Sequence, residues 1–486
     1  MRSIDAGAAP TVRCPEADAV WMDALVSGLR DRATVAGSSG GGEPGIRTPV
    51  SDPVERARKL GAVGRRFLDP DDRVRRECLE LLPRGSGLSA PMAEAVLDGM
   101  AADWTPERLE RLLREEFGDP LPLGRFVRRR ERSVMAVAPG LCVQLVAGSV
   151  PGVGVNALLR SLLLGAPTLL KPGLGDAVLP VLFARALAEE APELADRLAV
   201  VYWPGGETAN EDAALGRADT VVVYGSDHTV ATLERRAPRK SRFVAYPHRE
   251  GVGVVGRAAL GTEASARGCA EDVARATAMF DQRGCVSPRV VYVEVPERDA
   301  EGSGRHAEGS ETPQGPADFA RLLAQAFSVL EGRLPSGALE RLERSGIQQL
   351  RGTAEMLAAG SAGGPAEPWV GHGGAASWTV VYDPHLGLES NCVGRAVVVR
   401  PFRTLDELFG RLAPVGPHLQ TVGVAGLGDR LVEVAESLGR LGASRVTSFA
   451  TVPFPSPWWH HDGRGPLWDL VRWVDLERSG DEADGA

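Results

Sequence analysis

The feature that most constrains this chain is an alternation that begins near residue 133. Short apolar runs, each about one strand long, take turns with stretches of helical spacing. SVMAVAPG and LCVQLVAG read as strands closing in glycine, GVGVNALLRSLLLG as a buried helix, and PTLLKPG as a strand ending in lysine. AVLPVLFARALAEEAPELADRL then reads as helix, LAVVYWPGG as strand, NEDAALGRA as helix and DTVVVYGS as strand. Strands alternating with helices predict βαβ units and a parallel sheet. In such a sheet ligands bind outside the carboxyl ends of the strands, so the βα turns carry the candidate binding groups.

The alternation breaks at PHREG, residues 247–251, and a second set of elements follows. VGVVG reads as strand, and ASARGCAEDVARATAMF as a helix with Ala266, Cys269, Val273, Ala276 and Phe280 on one face. VVYVEV, WTVVYDP and RAVVVRPF read as strands. RLLAQAFSVLEGRL, LDELFGRL and DRLVEVAESLGRLG read as helices. The spacing therefore predicts two α/β domains, at 131–258 and 259–445. Before them, residues 1–130 read as mostly helical, with a flexible loop of linker composition at 37–45. TPERLERLLREEFG is typical of that region: Thr105 suits the N-cap, Pro106 the first helical position, and Leu109, Leu112 and Leu113 share a face. EGSGRHAEGSETPQGP, 301–316, reads as a disordered surface insertion. The aromatic C-terminal segment, 446–486, is expected to pack against the body or a partner subunit through Trp458, Trp459, Trp468 and Trp473. His460-His461-Asp462 within it is read as structural.

Bulk properties remove several classes. A net charge of −9 argues against a dedicated nucleic-acid binder. No run approaches the roughly 18 apolar residues of a membrane span, and the N-terminus lacks the apolar core of a secretory signal. A soluble, cytoplasmic protein is the expectation. Six cysteines, Cys14, Cys78, Cys142, Cys269, Cys285 and Cys392, are scattered without a CxxC pair or a Cys/His cluster. Neither a metal site nor a disulfide framework is expected.

Four places in the turns carry chemistry. Lys171, at the end of its strand, can present an ammonium to a ribose hydroxyl or phosphate, or can simply snorkel. The glycines of GSVPGVGVNALLRSLLLG precede a helix whose N-terminal amides favour anions, but they lack the third glycine of a dinucleotide fingerprint and suit a tight turn. Gly225-Ser226 closes a strand before a helix, where it can bind phosphate, cap the helix, or do both. Cys285 sits in FDQRGCVSPRVVYVE, flanked by Arg283, Gly284, Ser287 and Pro288. Such a junction displays a thiol, and helix-end amides can lower its pKa towards a thiolate. It is either a nucleophile or an inert cysteine.

Together, LVAGSVPG, LLKPG, VVVYGSDHTV, DQRGCVSPRVVYVE, LQTVGVAG and HDGRGPLWDLVRWVDLE resemble the aldehyde dehydrogenase superfamily. More closely, they resemble its acyl-CoA reductase branch, the LuxC-type long-chain fatty acid reductases, over about residues 130–477. The resemblance implies an aldehyde dehydrogenase-like α/β fold, with a Rossmann-like nicotinamide-binding domain at 131–258 and a catalytic α/β domain at 259–445. It also implies that an acyl-CoA or acyl-carrier-protein thioester is attacked by Cys285 and reduced to an aldehyde by hydride from a nicotinamide cofactor. Lys171, Pro172, Gly225 and Ser226 are then cofactor-binding.

This sequence departs from the wider superfamily in two ways, and a third feature bears on the cofactor. Ser149 stands where an asparagine serves the oxyanion hole, so its hydroxyl is the expected donor. The region of the water-activating glutamate reads FVAYPHREGVGVV, with no carboxylate before Glu250, which favours reduction over aldehyde oxidation. After Lys171-Pro172 no carboxylate comes before Asp176, so the expected cofactor is NADPH, with NADH possible. His228 is read as a surface residue. The rival readings are a reductase of an acyl phosphate or acyl adenylate, and a non-catalytic scaffold of the same fold. A homo-oligomer and an acyltransferase or synthetase partner are further expectations from the resemblance.

Overall fold

The computed structural model describes residues 2–3, 13–14, 18–35, 52–296, 314–359, 368–385 and 394–477. The loop at 37–45, most of the 301–316 insertion and Cys392 lie outside them. Contacts divide the chain into two compact units. One comprises residues 1–86, 97–247 and 456–486, and the other residues 87–96 and 248–455. The break in the sequence pattern at Pro247 coincides with a crossing between units. The first α/β segment thus ends at Pro247 in the structure, against 258 in the sequence reading, because the next strand pairs within the second unit. Most of the N-terminal region and the C-terminal segment belong to the first unit's own body, while residues 87–96 join the second.

The first unit is built on helices α1 (Ala19–Val35), α2 (Pro53–Arg66), α3 (Arg73–Ser86) and α4 (Pro106–Phe117), and on strands β1 (Val127–Arg129), β2 (Arg132–Val137) and β3 (Cys142–Leu145). It continues through α5 (Val153–Leu163), β4 (Thr168–Lys171), α6 (Val178–Glu190), β5 (Leu198–Val200), α7 (Thr208–Leu215), β6 (Thr220–Tyr224), α8 (Asp227–Arg236) and β7 (Arg242–Tyr246). The alternation read from sequence holds throughout. A five-stranded sheet forms in the order β5-β4-β3-β6-β7, with every pair parallel. β7, RFVAY, shows no clean apolar run and was not expected as a strand. At the sheet edge only alternate residues, Val244 and Tyr246, need burial.

Both faces of this sheet are covered, as a parallel sheet requires. Met22, Val26 and Leu29 of α1 join Leu215, Val230 and Leu233 over Val143, Leu145, Val221 and Val223. The α2 and α3 helices pack against α5 and α6. There Phe67, Trp104 and Phe183 meet at ring separations of 5.4, 5.9 and 6.2 Å, and the Trp104 indole donates to Asn156 Oδ1 at 2.7 Å. In α4, Pro106 takes the first position and Leu109, Leu112 and Leu113 are buried. Thr105 is the N-cap by backbone, though its hydroxyl caps no amide of the helix.

The second unit contains β8 (Glu250–Val255), α9 (Glu263–Ala278), β9 (Pro288–Glu294), α10 (Pro316–Glu331), α11 (Arg341–Ala359), β10 (Trp369–His372), β11 (Thr379–Tyr382), β12 (Ala396–Phe402), α12 (Leu405–Leu412), β13 (Leu419–Ala425), α13 (Leu431–Leu441) and β14 (Arg445–Ser448). Its seven-stranded sheet runs β10-β11-β12-β9-β8-β13-β14, parallel except for the β10–β11 pair. Sequence reasoning did not find α11, β10 or β14. α11 buries only Ile347, Leu350 and Ala354 among its 19 residues, and β10 and β14 are edge strands. The helical spacing through Phe280 overshoots, since α9 stops at Ala278. After this unit the chain rejoins the first, where β15 (Arg472–Glu477) pairs antiparallel with β2 in the sheet β15-β2-β1.

Candidate active site

In the first unit, the chain runs outward from β3 to β5 and then restarts at β6 on the other side of β3. The strand order therefore reverses between β3 and β6, where doubly wound sheets bind ligands. The predicted residues of this unit cluster at those carboxyl ends. Ser149 is exposed in the turn after β3, Lys171 closes β4, and Gly225-Ser226 follows β6. The neighbouring Pro172 is buried.

Lys171 is half-buried and, among the described residues, forms no ion pair. Burial pulls its ammonium below the usual lysine value, opposed by the charge of Glu211. Its Nζ lies 5.6 Å from the Tyr202 ring centre. A partly desolvated cation at a switch point suits an anionic or hydroxylic ligand. Ser226 is the N-cap of α8, its Oγ accepting from the Thr229 amide at 3.2 Å, and Asp227 and His228 beside it are exposed.

The other helix N-terminus is closed to an outside anion. Asp176 is fully buried, and its carboxylate accepts from the Gly152 and Gly154 amides at 2.6 Å each, at the start of α5. The glycines of GSVPGVG thus serve a tight turn around the chain's own carboxylate. The turn after Lys171 is also tight: a Cβ at Gly173 would lie 2.1 Å from the Gly148 amide nitrogen. In the turn that follows, Leu174 is exposed, and the first carboxylate after Lys171-Pro172, that of Asp176, is buried.

The C-terminal segment reaches the same ends of β6 and β7. Trp459, His461, Tyr246 and Tyr224 form a stack with centroid spacings of 4.6, 4.4 and 4.5 Å. Buried Arg160 donates to the Tyr224 hydroxyl at 3.0 Å. Arg108 and Arg111 lie 4.3 and 3.9 Å from the centre of Trp458, and Trp468 packs on Trp473 at 4.2 Å. The tryptophans hold the segment to its own unit, and His461 is a stacked ring of that assembly.

In the second unit, Cys285 lies in the turn between α9 and β9, half-buried. Cys78, Cys142 and Cys269 are buried, and desolvation pushes each thiol up to about 12. Of the four cysteines whose side chains are described, Cys285 is the one within reach of a reagent.

The backbone before it is unusual. Phe280, Asp281 and Gln282 have φ of 57°, 50° and 63°, three consecutive non-glycine residues in the left-handed region. Each costs on the order of 1 kcal/mol or more, so surrounding bonds must offset several kcal/mol. Gln282, fully buried, donates to the carbonyls of Pro288 at 2.9 Å and Ala396 at 2.6 Å and accepts from the Ala396 amide at 2.7 Å. It thereby ties the turn to the starts of β9 and β12. Asp281 accepts from Arg395 Nε at 2.9 Å and from the Gly337 amide at 3.1 Å. The Ser287 amide donates to the Gly284 carbonyl at 3.1 Å and closes the turn around Cys285. Behind the turn a Cβ at Gly251 would stand 2.5 Å from the Val286 carbonyl oxygen, so β8 can pass there only with glycine.

Comparison with known proteins decides the family. The family described as acyl-CoA reductase (LuxC) matches residues 60–473.

The chain belongs to the acyl-CoA reductase (LuxC) family.

Long-chain acyl-protein thioester reductases of Aliivibrio fischeri and Photorhabdus luminescens are each 22% identical to it. The alignments extend over 428 and 429 residues, 86% of this chain and 81% of each relative. Among solved structures, an oxidoreductase from Marinobacter aquaeolei superposes with a TM-score of 0.71 at 13% identity, covering 98% of this chain and 95% of its own. An aldehyde dehydrogenase from Pseudomonas syringae, crystallised with NAD+ and octanal, gives 0.63 at 14% identity, with 95% and 89% covered. The fold is that of the aldehyde dehydrogenases. As a member of its family, the chain is a nicotinamide-dependent, aldehyde-forming reductase of acyl thioesters. Among the described residues no helix is long and apolar enough to cross a membrane, and no group of three His, Cys, Asp or Glu is placed to hold a metal ion.

Two outcomes follow from this geometry. Limited iodoacetamide treatment of native protein at pH 8, read by peptide mass, alkylates Cys285 and leaves Cys78, Cys142 and Cys269 intact. Asp176 gives the second. Burial raises its folded-state carboxyl to about 7, above its ordinary 3.8. The folded chain therefore retains a proton that the unfolded chain releases, and this contribution to stability is present below about pH 4 and lost as pH rises towards 7. Across pH 5–8 the wild-type melting temperature should fall relative to that of Asp176→Asn. Parallel melting curves across that range would show that Asp176 does not titrate there.

Proposed function

We propose that this reductase works through a Cys285 acyl-enzyme and uses NADPH. The observation that carries the reading is the thiol itself: half-exposed in a turn whose backbone is held in an unfavourable conformation, while the other described thiols are sealed in the core. Cys285 attacks the thioester carbonyl carbon, forming the new C–S bond as the CoA or carrier thiolate departs. The Cys285 amide is the natural donor to the tetrahedral oxyanion, and the Ser149 hydroxyl is the proposed second donor.

Lys171, Gly225 and Ser226, beside buried Pro172, fit a nicotinamide dinucleotide at the switch point of the first unit. Lys171 takes a ribose hydroxyl or phosphate, and the open N-terminus of α8 takes the pyrophosphate. When bound, the reduced nicotinamide supplies hydride to the acyl carbon. The chain's remaining task is to keep water from the thioester bond. RFVAYPHR, residues 242–249, contains no carboxylate to activate that water. NADPH is favoured because Asp176 is spent on the α5 amides and Leu174 is exposed. No carboxylate there repels a 2′-phosphate.

The names of the relatives support an acyl group carried on a protein thiol, and a fatty chain is the proposed cargo. NADPH oxidation with a panel of acyl-CoA and acyl-carrier thioesters tests the reaction. Turnover should disappear in Cys285→Ala, and persistent turnover there would remove the nucleophile. Leu174→Glu tests cofactor choice: a carboxylate near the 2′-phosphate should weaken NADPH use by roughly tenfold or more while sparing NADH. Equal effects on both cofactors would place the 2′-phosphate elsewhere.

A further inference from the structure

We propose that Arg395 is a positioning residue for the Cys285 thiol. It acts by clamping Asp281 in the left-handed backbone that sets the direction of the turn. The proposal rests on the reading of Cys285 as nucleophile. Sequence distance hides the pairing, since Arg395 lies 114 residues beyond Asp281.

Arg395 is 1% exposed, and all three guanidinium nitrogens are used. Nε and Nη2 approach Asp281 Oδ1 at 2.9 and 2.7 Å. Nη1 donates to Glu331 Oε2 at 3.0 Å and to the Leu334 carbonyl at 2.7 Å, and Nη2 to the Pro335 carbonyl at 3.1 Å. Arg395 itself has φ of 59°, so the ion pair joins two residues with left-handed backbone, one of them the middle of the strained run. The Gly394 amide donates to the Asp281 carbonyl at 3.2 Å, which fixes the two chain segments by backbone as well.

Stability alone is a poor account of this pair. A buried ion pair replaced by apolar residues of equal volume is often neutral or stabilising, whereas loss of one partner leaves an unpaired charge. The guanidinium fork instead provides directional bonds in a fixed plane, which a lysine point charge cannot reproduce. Those bonds hold the carboxylate, and with it the φ, of the residue in the middle of the strained run. Gln282 then ties the run to the first residues of β9 and β12. Arg283, on the Cys285 side, is fixed separately by Glu343 at 3.0 and 3.1 Å and by the Ala338 carbonyl at 2.8 Å. A thiol displaced by even about 1 Å from its attack position loses on the order of a hundredfold in rate.

The test compares full-length wild type with Arg395→Lys, Asp281→Asn, the two combined, and Cys285→Ala. It reads kcat, KM for the thioester, the Cys285 alkylation rate from pH 6 to 9, and the melting temperature. Arg395→Lys and Asp281→Asn should each lower kcat by about a hundredfold while KM stays within about threefold. The alkylation profile of Cys285 should change in parallel, and the double variant should lose little more than either single one. Wild-type kcat and alkylation in the folded protein overturn the proposal, even with a lower melting temperature, because that pattern is a purely structural role. If those variants do not fold, Glu331→Gln removes only the more exposed arm of the clamp, and an unchanged kcat there also overturns it. Turnover by Cys285→Ala would instead break the nucleophile reading. An inactive Cys285→Ala beside a fully active Arg395→Lys would break only the positioning claim.

Discussion

The turn that carries Cys285, the proposed nucleophile, rests on backbone that its own residues disfavour. Phe280, Asp281 and Gln282 hold left-handed φ values without the freedom of glycine, and the side chains of Asp281 and Gln282 bond outside the run. The side chain of Gln282 bridges the first residues of two neighbouring strands, and that of Asp281 enters a buried ion pair. The strain is therefore offset by the rigid sheet of the second unit. Strained backbone held by a rigid scaffold is how a fold fixes a nucleophile in place, because a flexible turn would present the thiol in many directions.

The first unit manages anions by the same kind of local accounting. Two helices begin at the carboxyl ends of strands flanking the switch point, and both could attract phosphate. Asp176 fills one, and the other, after Gly225-Ser226, faces solvent. Among the described residues Lys171 forms no ion pair, though the charge of Glu211 acts on it, and the turn after it exposes no carboxylate. On the proposed reading, this arrangement takes the dinucleotide and tolerates an additional phosphate.

Much of this was legible in the sequence. The βαβ alternation follows from strands buried on both faces, which leave uninterrupted apolar runs, and Lys171, Gly225 and Ser226 were singled out because they end such runs. Cys285 stood out because a small polar turn is an unusual place for a cysteine. The unread parts have physical reasons. RFVAY is an edge strand with half its residues exposed, and α11 has a polar surface with three buried residues, so neither shows a clear period. Nothing local in sequence marks the burial of Asp176. Arg395 and His461 act through contacts far away in sequence, and apolar periodicity does not report such pairings. The superfamily resemblance supplied the expected roles of Cys285 and Ser149, which spacing alone left open.

The central claim is that Cys285 carries the acyl group. Mixing the protein with an acyl-CoA in the absence of any nicotinamide tests it most directly. The predicted result is release of one equivalent of CoA thiol and an acyl mass on the peptide containing Cys285. The adduct should persist, because residues 242–249 offer no carboxylate to activate water. Absence of an adduct under conditions that support NADPH-dependent turnover, or an acyl group on a different residue, would contradict the account.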